Sequence, residues 1–483
     1  MFFSPRGVRA LLGRFINYPA GCARVVTGED LVEKRGASPS ALSDIAAAPV
    51  RDSALEDAST ARRLALKEVF DRIGYGGATP QVVNVLFWLS IQTHPLALLL
   101  VGVLTGAKTL LSVVWSNILS DYARLSKVPK SWIAAGGVLF GFLFILMALS
   151  LLTSSVLLFA IAFLASALCI VAYGDLYGSF TQSALRRERR GLFLRGIATW
   201  GVLITAVTML LSGVLIDVFP STGMPLSFTL LGHPFSLRVY GHLLAFEITA
   251  IAFILSGYVT SFIRDSRQGQ PYPFWRFLGE YWRLVRGKTA VFTEDARVTT
   301  LTASAVLLSI LQTVLTAYAG IAIYRILVER YPNAPFFALA SVLAIAAIAA
   351  FTGPFFIQRA HRATGLAPTL VFGSLLMAIL PIALIYKTNV ATLAAALCAN
   401  VIGAAIVGFS QGLLAHQLLP DGKRQDYFAA QWVAIAIPYV VAIPLLSWIA
   451  NWSLDLLFWI VAGGLVLVVM PLSFALVLIS ERR

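Results

Sequence analysis

VGVLTGAKTLLSVVWSNILSDYARLSKVPK, running from Val101 to Lys130, decides what solvent the chain is written for. Its first half is apolar except for one ammonium, Lys108. Its second half turns polar and carries Asp121, Arg124, Lys127 and Lys130. An apolar run of about 20 residues closed by basic residues is the signature of a helix that crosses a bilayer and stops at its cytoplasmic surface. Composition extends this reading to the whole chain. Of 483 residues, 58% are hydrophobic and 12% charged, with a mean hydropathy of +0.82. A water-soluble domain carries about 25% charged residues and cannot expose that much apolar area, so the chain is an integral membrane protein.

Ten further apolar segments follow the same rule. With the opening one, the spans read Pro95–Leu119, Trp132–Leu152, Val156–Thr181, Leu192–Val218, Gly241–Ile263, Thr299–Ile326, Ala334–Ile357, Leu366–Tyr386, Val390–Gln417, Tyr427–Ala450 and Leu454–Ile479. Alternate connections are basic: Arg124/Lys127/Lys130, Arg186/Arg187/Arg189/Arg190, the Arg264–Arg297 stretch, Arg359/Arg362 and Lys423/Arg424. The others are poorer in basic residues; Thr153-Ser154-Ser155 has none and Pro220–Tyr240 has only Arg238, although Arg330 and Lys387 break the pattern. Basic connections mark the cytoplasm, and with eleven spans the basic N-terminal tail would lie on the wrong side. A weaker span at Leu66–Gln92, rich in Gly, Pro and amides and suited to a position surrounded by protein, restores agreement. The expectation is twelve helices with both termini cytoplasmic, in a plasma (inner) membrane. The net charge of +14 then belongs to topology, and no nucleic-acid partner is expected.

Two junctions recur at nearly one offset. Gly174–Phe193 aligns with Gly408–Phe428 at 234 residues, pairing Arg190 with Arg424, and Ser116–Lys127 aligns with Gly353–Thr364 at 237. The near-constant offset implies two six-helix halves. The expected organisation is a cytoplasmic, partly disordered tail over 1–65, one half over 66–263, a central cytoplasmic loop over 264–298 and the second half over 299–480.

These features resemble the major facilitator superfamily, whose best-known motif joins the second and third helices through a glycine, an aspartate and several basic residues. Asp121, Arg124, Lys127 and Lys130 match its charged positions, Ser116 and Asn117 stand where its glycines belong, and the second copy keeps Gly353 but has Gln358 in place of the acid. The resemblance implies a secondary transporter, acting as symporter or antiporter by alternating access and open to proton coupling. It also implies a cavity lined by the first, fourth, seventh and tenth helices. Tyr75, Gln81 and Asn84, Tyr173 and Asp175, Gln312, and Asn400 would then face a small solute, and Asp121, Arg124, Arg190, Arg359 and Arg424 would act at the gate. The lost glycines, the tail and the long central loop keep a second reading in play: a non-transporting protein of the same fold, acting as assembly factor or receptor.

Charge inside the bilayer marks candidate sites, because an ionisable group at mid-helix costs about 2.5–3.5 kcal/mol. Lys108 attracts a solute, anionic or amphiphilic, is the charge displaced when a proton binds an acid, or forms a structural pair with Asp175 or another acid. Glu247 lies in the outer third of its helix and either serves coupling or reaches the headgroups. The central loop holds PFWRFLGEYWRLVRGK, with Phe274, Trp275, Leu278, Tyr281, Trp282 and Val285 at helical spacing, which predicts an amphipathic helix on the membrane surface. Residues 1–28, with four arginines and no acid, predict a second such helix, and the same features fit a transit peptide.

Soluble chemistry finds no support in the sequence. Gly408–Gly412 (GFSQG) matches a hydrolase elbow only in letters, since that elbow needs a strand-to-helix turn. Cys22, Cys169 and Cys398 have no metal spacing, and no phosphate loop occurs. A monomer without cofactor, metal or enzyme activity is expected, its partners being the lipid bilayer and a small solute.

Overall fold

The computed structural model describes residues 50–184, 187–219, 223–230, 233–263, 272–289 and 291–481. The chain divides into a unit Met1–Ala54 and a unit Leu55–Arg483, and the second is described below. The surface helix expected within residues 1–28 lies outside the described residues.

Helices dominate. In chain order they are α1 (Val50–Gly77), α2 (Pro80–Ser90), α3 (Ala97–Leu125), α4 (Lys130–Leu152), α5 (Val156–Ala184), α6 (Arg187–Val218) and α7 (Gly241–Ser261). After the central segment come α8 (Phe274–Lys288), α9 (Val291–Glu294), α10 (Ala296–Arg330), α11 (Pro335–Thr364), α12 (Leu366–Ile385), α13 (Val390–Leu418) and α14 (Asp421–Trp452). The chain closes with α15 (Leu454–Gly463), a π-helical turn at Gly464–Val469 and α16 (Met470–Glu481). Among the described residues eleven helical stretches are long and apolar enough to cross a membrane, and they coincide with the eleven strong spans of the sequence.

The remaining segment, α1 followed by α2, is broken. Pro80 has no N–H to donate and disfavours helical backbone at the residue before it. Thr79 is accordingly extended (φ −68°, ψ 153°) and its hydroxyl accepts from Val82 N at 3.4 Å, capping α2. The glycines ahead of the break serve close packing. A Cβ on Gly77 would lie 2.2 Å from Thr249 Oγ1, and one on Gly76 would lie 2.6 Å from Thr205 O, so α1 presses its backbone against α7 and α6.

The connections define two faces. One carries the basic turns named above and is called the basic face; the other carries the connection after α6 and is called the hairpin face. That connection holds two antiparallel strands, β1 (Met224–Leu230) and β2 (His233–Val239), with Leu226 opposite Leu237 and Phe228 opposite Phe235. No sequence expectation covered this hairpin, although Leu226, Phe228 and Leu230 alternate at the strand period.

The central segment folds as expected into a helix, but its buried stripe is shifted. Phe277, Tyr281 and Val285 are buried, whereas Trp275 and Trp282 are 80% and 61% exposed. Phe277 was absent from the predicted stripe. Tyr122 donates to Tyr272 O at 2.6 Å, and the Phe274 ring packs edge-on against Tyr122 and Trp132, tying α8 to α3 and α4. Burial first, and the nearby Asp121 carboxylate second, push the Tyr281 phenol up to about 12, so it stays neutral at physiological pH.

Candidate functional site

Lys108 sits mid-way along α3, as the sequence required, and is half buried. Its Nζ lies 4.0 Å from the centre of the Phe163 ring on α5, and Phe163 is itself buried. Among the described residues no carboxylate and no hydrogen-bond acceptor engages this ammonium. A desolvated cation–π contact contributes about 2 kcal/mol, which leaves part of the cost of a mid-membrane charge uncovered. The Phe163 ring is thus the contact recorded for this ammonium among the described residues.

Polar groups gather one turn away. Thr105 donates to Asn84 Oδ1 at 3.4 Å, and Thr109 donates to Thr105 O at 2.9 Å. Across from them, on α10 and α14, Tyr439 donates to Thr313 Oγ1 at 2.5 Å. Gln312 and Gln81 are half buried nearby in sequence to these groups, and Tyr75 is 41% exposed with its ring edge-on to Phe253.

A second charged cluster lies at the start of the Leu66–Gln92 span, on residues that were not among the expected site residues. Lys67 on α1 is fully buried and pairs with Asp71 Oδ2 at 2.6 Å. The Lys67 ammonium also donates to the Tyr173 hydroxyl at 2.8 Å and lies over the Tyr173 and Tyr177 rings, at 4.1 and 3.5 Å from their centres. Asp71 Oδ1 accepts from the hydroxyls of Tyr173 and Ser256. One carboxylate thus receives three donors, from α1, α5 and α7. Tyr173 therefore does not line an open space; it is 1% exposed and committed to this network. A lysine and an aspartate four residues apart on one helix face were a legible sign. Their partners on α5 and α7 were not.

The other expected residues are spread more widely. Asn84 is buried and donates to Thr316 O at 3.3 Å and Ala317 O at 3.5 Å. Asn400 donates to Met377 O at 3.1 Å, holding α13 to α12. Glu247 is exposed on α7. Asp121 lies 4.0 Å from Lys288 Nζ, and Arg424 donates from Nε to Leu419 O at 2.7 Å. The side chains of Asp175, Arg124, Arg190 and Arg359 lie outside the described ones. Gly408–Gly412 is inside α13, and among the described residues no strand adjoins that helix in the chain.

The helices up to α7 and those from α10 onward meet closely toward the hairpin face. Tyr318 donates to Leu98 O at 3.0 Å and Asn451 to Pro95 O at 2.8 Å. Asp217, at the C-terminal end of α6, accepts from Phe336 N at 3.1 Å and Phe337 N at 2.6 Å. An acid is unfavourable at the end of its own helix and favourable at the start of another, so Asp217 caps α11 across the divide. Glycines permit the approach. A Cβ on Gly102 would lie 1.9 Å from Tyr318 Oη and 2.2 Å from Ser447 Oγ, one on Gly106 would lie 2.4 Å from Ile443, and one on Gly213 would lie 2.7 Å from Ala340. Toward the basic face the described side chains bridge the two sets through α8, whose Lys288 lies 4.0 Å from Asp121 and 3.9 Å from Asp426.

No family model matches the sequence, and neither does any curated protein compared with it. Solved structures match the fold along almost their full length. The nucleoside transporter NupG superposes with a TM-score of 0.61 at 11% identity, over 88% of this chain and 99% of that one. A bacterial homologue of the iron transporter ferroportin, in its inward-facing state, gives 0.58 at 14% identity over 86% and 98%. The D-xylose-proton symporter gives 0.57 at 15% identity over 85% and 96%. Broken first helix, close-packed helices and interior ammonium are thus set in a known frame: the chain has the fold of the major facilitator superfamily transporters.

Proposed function

We propose that the protein is a secondary active transporter that carries a small solute by alternating access. Its frame would be twelve spans in two six-helix halves, with α1–α2 as the first span and both termini on the cytoplasmic, basic face of a plasma (inner) membrane. Residues 66–263 and 299–480 would be the halves that rock, and 264–298 the cytoplasmic strap between them. The observation that carries the reading is the seam itself. Hydrogen bonds and glycine contacts bring the two helix sets together toward the hairpin face, and α8 spans them toward the basic face. These contacts support a state closed toward the hairpin face, one of the two that alternating access requires.

Lys108 is the residue assigned to the solute. Its ammonium has no described acceptor, so an anionic or amphiphilic solute would supply one, with Asn84, Gln81, Gln312 and Thr109 within the same region of the bundle. A hydrogen bond to a charged group contributes about 1.5–3 kcal/mol, which is about ten- to a hundredfold in affinity. In proteoliposomes given a panel of radiolabelled carboxylates, phosphates and amphiphiles, Lys108→Ala is expected to lose that factor in uptake, and Lys108→Arg to keep most of it. Uptake by Lys108→Ala equal to wild type across the panel would remove Lys108 from the site.

A further inference from the structure

The outer surface of α8 takes no part in the proposed transport site, and its residues are sorted by face. Phe274, Phe277, Tyr281, Val285 and Lys288 form the seam against the protein. At about 100° per residue, Trp275 and Trp282 fall together on one flank, about a quarter turn from the centre of that seam. Arg286 comes next around the helix and Arg283 beyond it. Both are exposed, and no carboxylate pairs with either among the described residues. Arg276 differs, since it pairs with Glu280 at 3.4 Å. Trp282 leans toward Trp432 of α14, with ring centres 6.3 Å apart, so this flank is continuous with a membrane-spanning helix.

Two solvent-exposed tryptophans seven residues apart are costly in water and favourable at the level of lipid headgroups. Unpaired guanidiniums beside them match phosphate geometry and the negative surface of an anionic bilayer. We propose that the Trp275/Trp282 flank of α8, with Arg283 and Arg286, is a binding site for the headgroups of anionic phospholipids. The tryptophans lie in the headgroup layer and the two arginines take the lipid phosphates. Because the same helix touches α3 through Tyr122 and Asp121 and α14 through Trp432 and Asp426, a lipid bound here holds the strap in place across the basic face. The site is independent of the solute and of whether transport occurs.

The test uses the full-length protein in detergent with added phosphatidylglycerol or phosphatidylcholine, read by native mass spectrometry and by thermal melting. Wild type is expected to retain phosphatidylglycerol over phosphatidylcholine and to melt higher in its presence, since a ligand of the folded state stabilises it. Arg283→Gln/Arg286→Gln is expected to lose roughly thirtyfold of that preference, the loss expected when two arginines leave an anionic surface, and to lose the melting shift. The exposed positions make a folding defect in lipid-free detergent unexpected, and the unliganded melting temperature checks it. A third variant, Trp275→Ala/Trp282→Ala, should weaken both lipids alike. An unchanged preference in the arginine variant overturns the proposal, and so does an equal melting shift from inorganic phosphate or retention of a soluble protein on this face in place of lipid.

Discussion

Lys67→Met is expected to lower stability by about 3–5 kcal/mol, because it leaves a buried carboxylate without its cation. Lys67 and Asp71 are 0% and 5% exposed and lie 2.6 Å apart, so water cannot replace the lost partner. The hydroxyls of Tyr173 and Ser256 remain as donors to Asp71, and they do not neutralise it. Removing both charges is a different experiment. Lys67→Met/Asp71→Leu replaces the pair with apolar groups of similar reach, a change that is often neutral or stabilising for buried ion pairs. Here it is expected to recover most of the loss but not all, since Tyr173 and Ser256 lose the Asp71 acceptor and keep only each other and the Lys67 carbonyl, and a buried hydroxyl left short of partners costs about 1–3 kcal/mol. The melting temperature in detergent checks the order: single variant lowest, double variant between it and wild type. Uptake by the double variant near wild type would assign the pair to anchoring α1 on α5 and α7. Selective loss of coupled uptake in a stable double variant would instead make Asp71 a coupling residue.

The second large effect is expected at Gly106. Its Cβ position is 2.4 Å from Ile443, and that of Gly102, one turn earlier, is 1.9 Å from Tyr318 Oη. Leucine at either site cannot coexist with the seam between α3 and α14. Overpacking costs about 1–3 kcal/mol, and here the cost falls only on the arrangement in which that face is closed. A differential cost of that size shifts a two-state population by about 5- to 150-fold. Gly106→Leu is therefore expected to accumulate with its hairpin face open, to keep a near-normal melting temperature and to transport poorly. A thiol reagent supplied from the hairpin side should label a cysteine at Thr316 in this variant much faster than in wild type. Equal labelling with a large drop in melting temperature would show that the glycines serve folding alone.

Much of this fold is written in the sequence at the level where local physics decides. The eleven strong spans, the basic turns and the helix at Phe274–Lys288 follow from hydropathy, charge and helical spacing. What was illegible depends on contacts distant in sequence. Lys67 and Asp71 lie at the start of the Leu66–Gln92 span, and their role is hidden because Tyr173 and Ser256 stand more than 100 residues away. Gly74, Gly76 and Gly77 pointed to a span surrounded by protein, but not to their neighbours: they admit Phe253, Thr205 and Thr249 against the α1 backbone. Gly102 and Gly106 form a G-x-x-x-G spacing that the sequence displays and that gains meaning only with α14 opposite. Asp217 drew no attention as a lone acid after an apolar run, and its role as a cap for α11 rests on a helix 120 residues further on. The strands at Met224–Val239 are short, and their period-two alternation is faint beside the long apolar runs around them.

The central claim is that the two helix sets rock about an interior site, and pulsed electron resonance tests it most directly. Spin labels at Leu96 and Trp452, both exposed, report the hairpin face, and labels at Leu125 and Lys423 report the basic face. In wild type reconstituted in nanodiscs, each pair is expected to show two distances. Gly106→Leu should lengthen the hairpin pair while shortening the basic pair. One unchanging distance in both pairs, or a change on one face without the opposite change on the other, would contradict alternating access in this protein.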